Sequence, residues 1–364
     1  MNKQEFLDAF LKALEPLSPA ERQQITEYYD EYICDGMEQG LTEEECVARF
    51  GDPVKAAAQF REASAGEIPG EPRRPEASIP ESGTPEAGIA GDIHNAADIH
   101  RVVITAEDLS IHIQPGPRLD IRYQADPIWD EVDCWAENGV LTFRHRMKKP
   151  GIRGFFSIFH VRITETVEVF VPSEWMGAVE ADTRNGSIKL ENLSQLAEAV
   201  LTTHNSAIII SSASAPELRC STTNSAIRLQ DVCTLRLEAK TSNGGIEARQ
   251  LSGETLWLKT SNAGIRLQQV QGETLDAATS NGKILAEDCT LTQHATLTTS
   301  NSKLEVQRLD SREVSLHTSN SKICGTLVGA MEDYAIESGT SNAPCNLPAW
   351  REGGSRKLTA ATSN

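Results

Sequence analysis

The sequence predicts a chain of two unlike parts: a small all-α helical module, then a parallel, right-handed β-helix (β-solenoid) with about 19–20 residues per coil. Three observations carry this. Thr-Ser-Asn followed by a small residue stands at 241–244, 260–263 and 279–282, and the motif returns in looser form along the second half of the chain. Aligned on that Asn, apolar residues fall into columns, one per coil. The first 63 residues instead carry helical spacing and helix caps.

The composition sets limits. The 364 residues carry a net charge of −18, which argues against direct nucleic-acid binding through a basic face. Eight cysteines show no CxxC pair, so neither a zinc site nor a disulfide framework is expected. No cofactor or metal is implied. No apolar run approaches the roughly 20 residues of a membrane helix, and no signal-peptide core follows Met1, so the expected location is the cytoplasm.

In residues 1–63, three capping pairs mark helix starts: Asn2 with Glu5, Ser18 with Glu21 and Thr42 with Glu45. The apolar stripes are Phe6, Leu7, Phe10, Leu11 and Leu14, then Ile25, Tyr28, Tyr29, Tyr32 and Ile33, then Val47 and Phe50. Asp52-Pro53 restarts a fourth helix with Val54, Ala57 and Phe60. Six Lys/Arg stand against fourteen Asp/Glu, a solvated acidic surface or a docking face for a basic partner. The segments Met1–Leu7, Tyr28–Ile33 and Phe50–Ala57 resemble HAAS, a bacterial helical signalling module. Its members often lie beside PadR-type transcription regulators. The resemblance therefore implies a protein partner for residues 1–63, such as a transcription regulator. Residues 64–92, rich in Pro, Gly and Glu, read as a disordered, extended linker.

Residues 93–180 hold alternating strands at 102–104, 109–113, 119–123, 140–143, 161–163 and 166–171, expected to form irregular opening coils that cap the solenoid. The densest basic run, Arg144, Arg146, Lys148, Lys149 and Arg153, reads as a solvated loop between two strands. The alternatives are docking on the acidic helical module or binding an anionic surface.

The regular coils occupy residues 181–364. The aligned residues are Asn185, Asn205, Asn224, Asn243, Asn262, Asn281, Asn301, Asn320, Asn342 and Asn364, with Thr two before each. Three after the Asn stands Ile, Leu or, once, Cys345; eight after it come residues such as Leu193, Val232, Cys289, Val328 and Trp350. The Asn residues form the expected structural ladder, their amides bonding up the stack and their backbones taking a left-handed turn. Cys220, Cys289 and Cys345 read as small core residues. Two after the Asn, Lys283, Lys303 and Lys322 line a solvated corner or an anion-binding edge. Arg228, Glu247 and Arg266 read as an alternating surface ladder.

The Thr-Ser-Asn-Gly-x-Ile unit resembles a bacterial adhesin-type β-strand repeat family with no agreed activity. No catalytic arrangement is visible: Glu191 and Asp231 lie on distant coils, and the side chains of Glu287 and Asp288 should diverge. The expectation is a non-catalytic signalling or docking module tethered to a rigid solenoid that acts as a binding or spacer surface, linked to envelope stress or PadR-type regulation. The alternative is an adhesin-like or carbohydrate-binding surface protein. End-to-end self-association is expected at the C-terminal coil.

Overall fold

A computed structural model describes residues 3–14, 42–48, 52–54, 57, 99–123, 130–147, 166–341 and 344–363. The chain divides into a helical unit and a solenoid unit, each treated by itself.

In the helical unit, α1 spans Lys3–Ala13 and α2 spans Glu43–Ala48. Phe6 and Phe10 lie one turn apart on α1, fully buried, with ring centroids 5.6 Å apart. Leu14, Val47 and Ala57 are also buried. The Thr42/Glu45 pair forms a capping box: the Glu45 amide donates to Thr42 Oγ1 at 3.2 Å, and the Thr42 amide donates to Glu45 Oε2 at 2.8 Å. Asp52 Oδ1 accepts the Val54 N–H at 2.9 Å. Val54 itself is exposed, unlike the expected buried position. The pairs Asn2/Glu5 and Ser18/Glu21, the second helical stripe, Phe50, Phe60, the linker and the 161–163 strand lie outside the described residues.

The solenoid is built of strands that alternate buried and exposed residues, and it makes about ten turns. Each coil has two legs. The approach leg ends at the motif Thr or one residue before it; the departing leg begins three residues after the Asn. Approach legs are β7 (Ala178–Thr183), β9 (Glu198–Thr203) and β11 (Glu217–Ser221). Departing legs are β8 (Ile188–Glu191) and β10 (Ile208–Ser214). In β12 (Ile227–Lys240), β13 (Ile246–Lys259) and β14 (Ile265–Thr279) one long strand supplies a departing leg and the next approach leg. After β15 (Ile284–Glu287) and β16 (Thr290–Thr299), β17 (Leu304–Thr318) does so again. All these legs pair in parallel, and the register matches the columns: Ile208, Ile227, Ile246 and Ile265 are successive partners. Burying one aliphatic per column per coil gives a continuous core, each such side chain contributing about 1.5–3 kcal/mol.

Both ends depart from simple sequential stacking. At the start, β1 (Arg101–Ala106) pairs with β7, and β2 (Ser110–Pro115) pairs with β8, so residues 101–115 make a regular coil rather than an irregular cap. Outside it, β5 (Val140–Met147) pairs with β1 and β6 (Thr166–Val171) pairs with β2. The short β3 (Asp120–Arg122) closes one edge antiparallel to β6. At the far end, β18 (Ile323–Leu327) adds to one face of β17. On the other face β21 (Arg356–Thr362) pairs with β17, and β19 (Tyr334–Thr340) lies beyond β21. The last strand is therefore inserted between two earlier ones. A two-residue strand, β20 (Trp350–Arg351), meets the edge of β19.

Candidate functional site

The motif corner is the most regular feature. Each ladder Asn is exposed, and its Nδ2 donates to Oδ1 of the Asn one coil earlier. The distances are 2.5 Å for Asn205 to Asn185, 2.6 Å for Asn224 to Asn205, and 2.7 Å for Asn243 to Asn224 and for Asn262 to Asn243. They continue at 2.9 Å for Asn281 to Asn262 and 2.7 Å for Asn301 to Asn281 and Asn320 to Asn301. Asn185 Nδ2 bonds Asp108, which terminates the ladder on a carboxylate. Asp108 was missed by motif reading, yet the signal was present: Val102 stands six before it and Ile111 three after, as in every coil. Asn342 lies outside the described residues.

The buried Thr residues carry a second ladder. Thr260 Oγ1 donates to the Gly244 carbonyl at 2.7 Å, Thr241 to Ser225 at 3.0 Å and Thr299 to Gly282 at 3.0 Å. Thr362 donates to the Ser321 carbonyl at 2.9 Å, the bond that fits β21 against the coil of Asn320. The residue after the Asn is small because the corners nearly touch. A Cβ on Gly244 would come 1.7 Å from the Ser225 carbonyl oxygen.

The expected left-handed Asn is corrected. Positive φ falls seven residues after the Asn, at Asn192, Ser212, Asp231, Gln250, Gln269, Asp288 and Arg308, with φ of 50–57°. This is the second corner of each coil. Backbone bonds between coils hold it there, as in Asn192 N–H to the Ser211 carbonyl at 3.0 Å. The signal was a break in parity: five and eight after the Asn are buried, so two consecutive residues between them must both face out.

The lysine column is an ion-pair cluster. Lys283 Nζ and Lys303 Nζ each lie 2.7 Å from Glu305 Oε2. Their bonds, that of Lys283 first, hold the Glu305 carboxyl down at about 2. Lys303 is shifted upward, chiefly by the Glu305 bond and then by the Cys324 thiol. Lys322, in the next coil, has no acid within ion-pair distance among the described residues. At the other end Glu191 joins Lys189 at 2.6 Å and His112 at 2.8 Å, and Lys189 is the main cause of its lowered pKa.

The remaining candidates separate. Arg144 and Arg146 lie within strand β5, not in a loop, so they project from one side while Phe143 and His145 are buried. Arg144 lies 5.6 Å from the Trp135 ring centroid. Lys148, Lys149 and Arg153 lie outside the described residues. Arg228, Glu247 and Arg266 stand side by side in successive coils, but the ion pairs run elsewhere: Glu247 pairs with Arg249 at 2.5 Å, and Arg266 with Glu287 at 3.3 Å. Asp288 turns the other way to Arg308, so the adjacent acids diverge. Cys220 and Cys289 are buried, which pushes their thiols up to about 12 and about 11. Cys345 is exposed, as is Trp350, because the chain after Thr340 leaves the coil path and returns as β21.

The comparisons with known proteins fit these two units. No curated protein and no solved structure matches the chain. HAAS matches residues 5–59, and Toastrack DUF4097 matches residues 99–323, well over half the chain. With a motif-cornered parallel solenoid over most of its length, the chain belongs to the Toastrack DUF4097 family and carries an N-terminal HAAS domain.

Proposed function

We propose that the protein is a non-catalytic signalling component in which residues 1–63 dock a protein partner, residues 64–92 link, and residues 93–364 form a rigid binding or spacer surface. The observation that carries this reading is the HAAS match over an acidic helical unit, joined to a solenoid whose interior is filled with aliphatics and threonines. HAAS domains typically pair with PadR-like regulators, so the partner class is a transcription regulator, and the place of work the cytoplasm. Among the described residues no helix is long and apolar enough to cross a membrane.

The test is titration of the full chain with a PadR-type regulator from the same cells. Binding should weaken as screening shortens from about 10 Å at 0.1 M salt to about 3 Å at 1 M. Asp8→Lys with Glu44→Lys, both exposed, should weaken it further. Absence of binding, or binding indifferent to salt and to both substitutions, would remove the docking reading.

A second reading, a glycan-binding surface, rests on Trp257. It stands on an outer face between Glu238 and Asp276 in the adjacent coils, with Lys259 Nζ 5.9 Å from its ring centroid. Burial raises the Asp276 pKa against the lowering effect of Lys259. An aromatic between two carboxylates suits a pyranose ring that stacks and hydrogen-bonds at once. Loss of oligosaccharide binding in Trp257→Ala, with the regulator ignored, would favour it.

A further inference from the structure

The C-terminal end of the solenoid contains a cavity of about 450 Å³. It exists because the two faces end at different heights. Beyond β17 one face gains only β18, whereas the other gains β21 and then β19. The overhang of β19 leaves the inner sides of the last coil facing a partly enclosed space. Val306, Leu316, Ile323, Leu327, Ile336 and Leu358 line it. These are positions that the next coil covers elsewhere in the stack.

One lining residue, Tyr334, is held by polar contacts with residues beside the cavity. Tyr334 Oη donates to the Val328 carbonyl at 2.7 Å, and Arg356 Nη1 reaches Asp310 Oδ1 at 2.7 Å and the same carbonyl at 2.9 Å. Arg356 is thus engaged. Lys322 also lines the cavity, and it is exposed. In the coil below, Lys303 has Glu305 two residues on; after Lys322 the equivalent position is Cys324. Lys322 is left without an acid partner among the described residues. The site combines an apolar chamber with a lysine that has no acid partner among the described residues.

We propose that this cavity binds a single-chain anionic amphiphile, such as a fatty carboxylate, with its chain in the apolar chamber and its head group on Lys322. The volume lies within the roughly 300–1,000 Å³ of small-molecule pockets, and the lining is mainly apolar with few polar groups, as such sites require. The cation selects the head group: a carboxylate bond to an ammonium is charge-assisted, whereas an alcohol gains less and a quaternary ammonium is repelled. The cavity is lined by solenoid residues and the docking reading rests on residues 1–63, so this proposal and that reading fail independently.

The test is calorimetric titration of the full chain with dodecanoate below its micelle concentration, alongside dodecanol and dodecyltrimethylammonium. The expected result is saturable binding of one dodecanoate per chain, weaker binding of dodecanol and none of the cation. Lys322→Glu should weaken dodecanoate by roughly tenfold while leaving dodecanol unchanged. Met331→Trp, at a 46% exposed cavity residue, should block both by filling the chamber. Lys322→Gln provides a milder head-group variant, and matching circular dichroism melts would show that each variant folds. Non-saturable dodecanoate binding overturns the proposal. So does affinity unchanged in folded Lys322→Glu and Met331→Trp, or a chain that pairs end to end and excludes dodecanoate.

Discussion

The middle of the solenoid and its C-terminal end use the same motif with opposite results. From Asn205 to Asn320 every coil adds a leg to both faces, one Asn to the outer ladder and one Thr to the inner one. Beyond Asn320 the motif is still present at Thr340 and Thr362, but one face gains only β18 while the other gains β21 and β19, stacked out of chain order. A repeat is thus stable through its neighbours on two sides, not through its own sequence. The N-terminal end supports this. There both faces receive an outer strand, β5 and β6, and β3 closes one edge.

The largest contrast should appear in thiol chemistry. Cys220, at about 12, and Cys289, at about 11, sit in complete coils, whereas Cys345 lies exposed at the end. At pH 8, an aromatic disulfide reagent should label exposed Cys345 far faster than Cys220, which is buried and held almost wholly as the thiol. Peptide mass spectrometry assigns the sites. Comparable rates would mean that the middle coils open as readily as the end.

Core truncation comes next. Leu258→Ala removes a fully buried side chain in the middle and should cost about 2–5 kcal/mol in urea denaturation. Leu327→Ala, half-buried beside the cavity, should cost under about 1 kcal/mol. Equal losses would break the distinction between complete and incomplete coils.

The two ladders should then separate. Thr260→Val leaves the Gly244 carbonyl without its 2.7 Å bond inside the corner, at a cost of about 1–2 kcal/mol. Asn262→Leu breaks outer bonds of 2.7 and 2.9 Å at an exposed site and relieves no left-handed strain. Its cost should be smaller, about 0.5–1.5 kcal/mol. A larger loss for Asn262 than for Thr260, compared by melting, would make the exposed ladder the main support.

The smallest effect concerns acid. The folded pKa of Glu305 is about 2, below the ordinary value of about 4.3. Its contribution is therefore complete above about pH 4.3 and is lost as the pH falls through 2. Glu305→Gln should flatten the melting temperature against pH across that window. Parallel curves for parent and variant would show that solvent screens the cluster to nothing.

Much of the middle was legible because a fixed period constrains every coil alike. The columns of Ile188, Ile208 and Ile227 predicted the core, and the Asn spacing predicted the ladder. The same reasoning misplaced the left-handed corner, since Asn tolerates such a backbone but does not require it, and Asn192 and Asp288 adopt it with their N–H groups bonded to the Ser211 and Gln307 carbonyls of the adjacent coil. It also missed Asp108, whose coil keeps the apolar spacing but lacks the motif letters.

By itself, the sequence determined the helical start, the solenoid, the period and the buried columns, because each follows from local spacing and from repetition of one pattern. Only the tertiary structure decided which strand sits beside which at the two ends. Strands with the same column pattern fit the same neighbours equally well, so the order is set by loop length and by the edges that remain open. That choice placed β21 between β17 and β19, exposed Cys345 and opened the cavity beside Lys322.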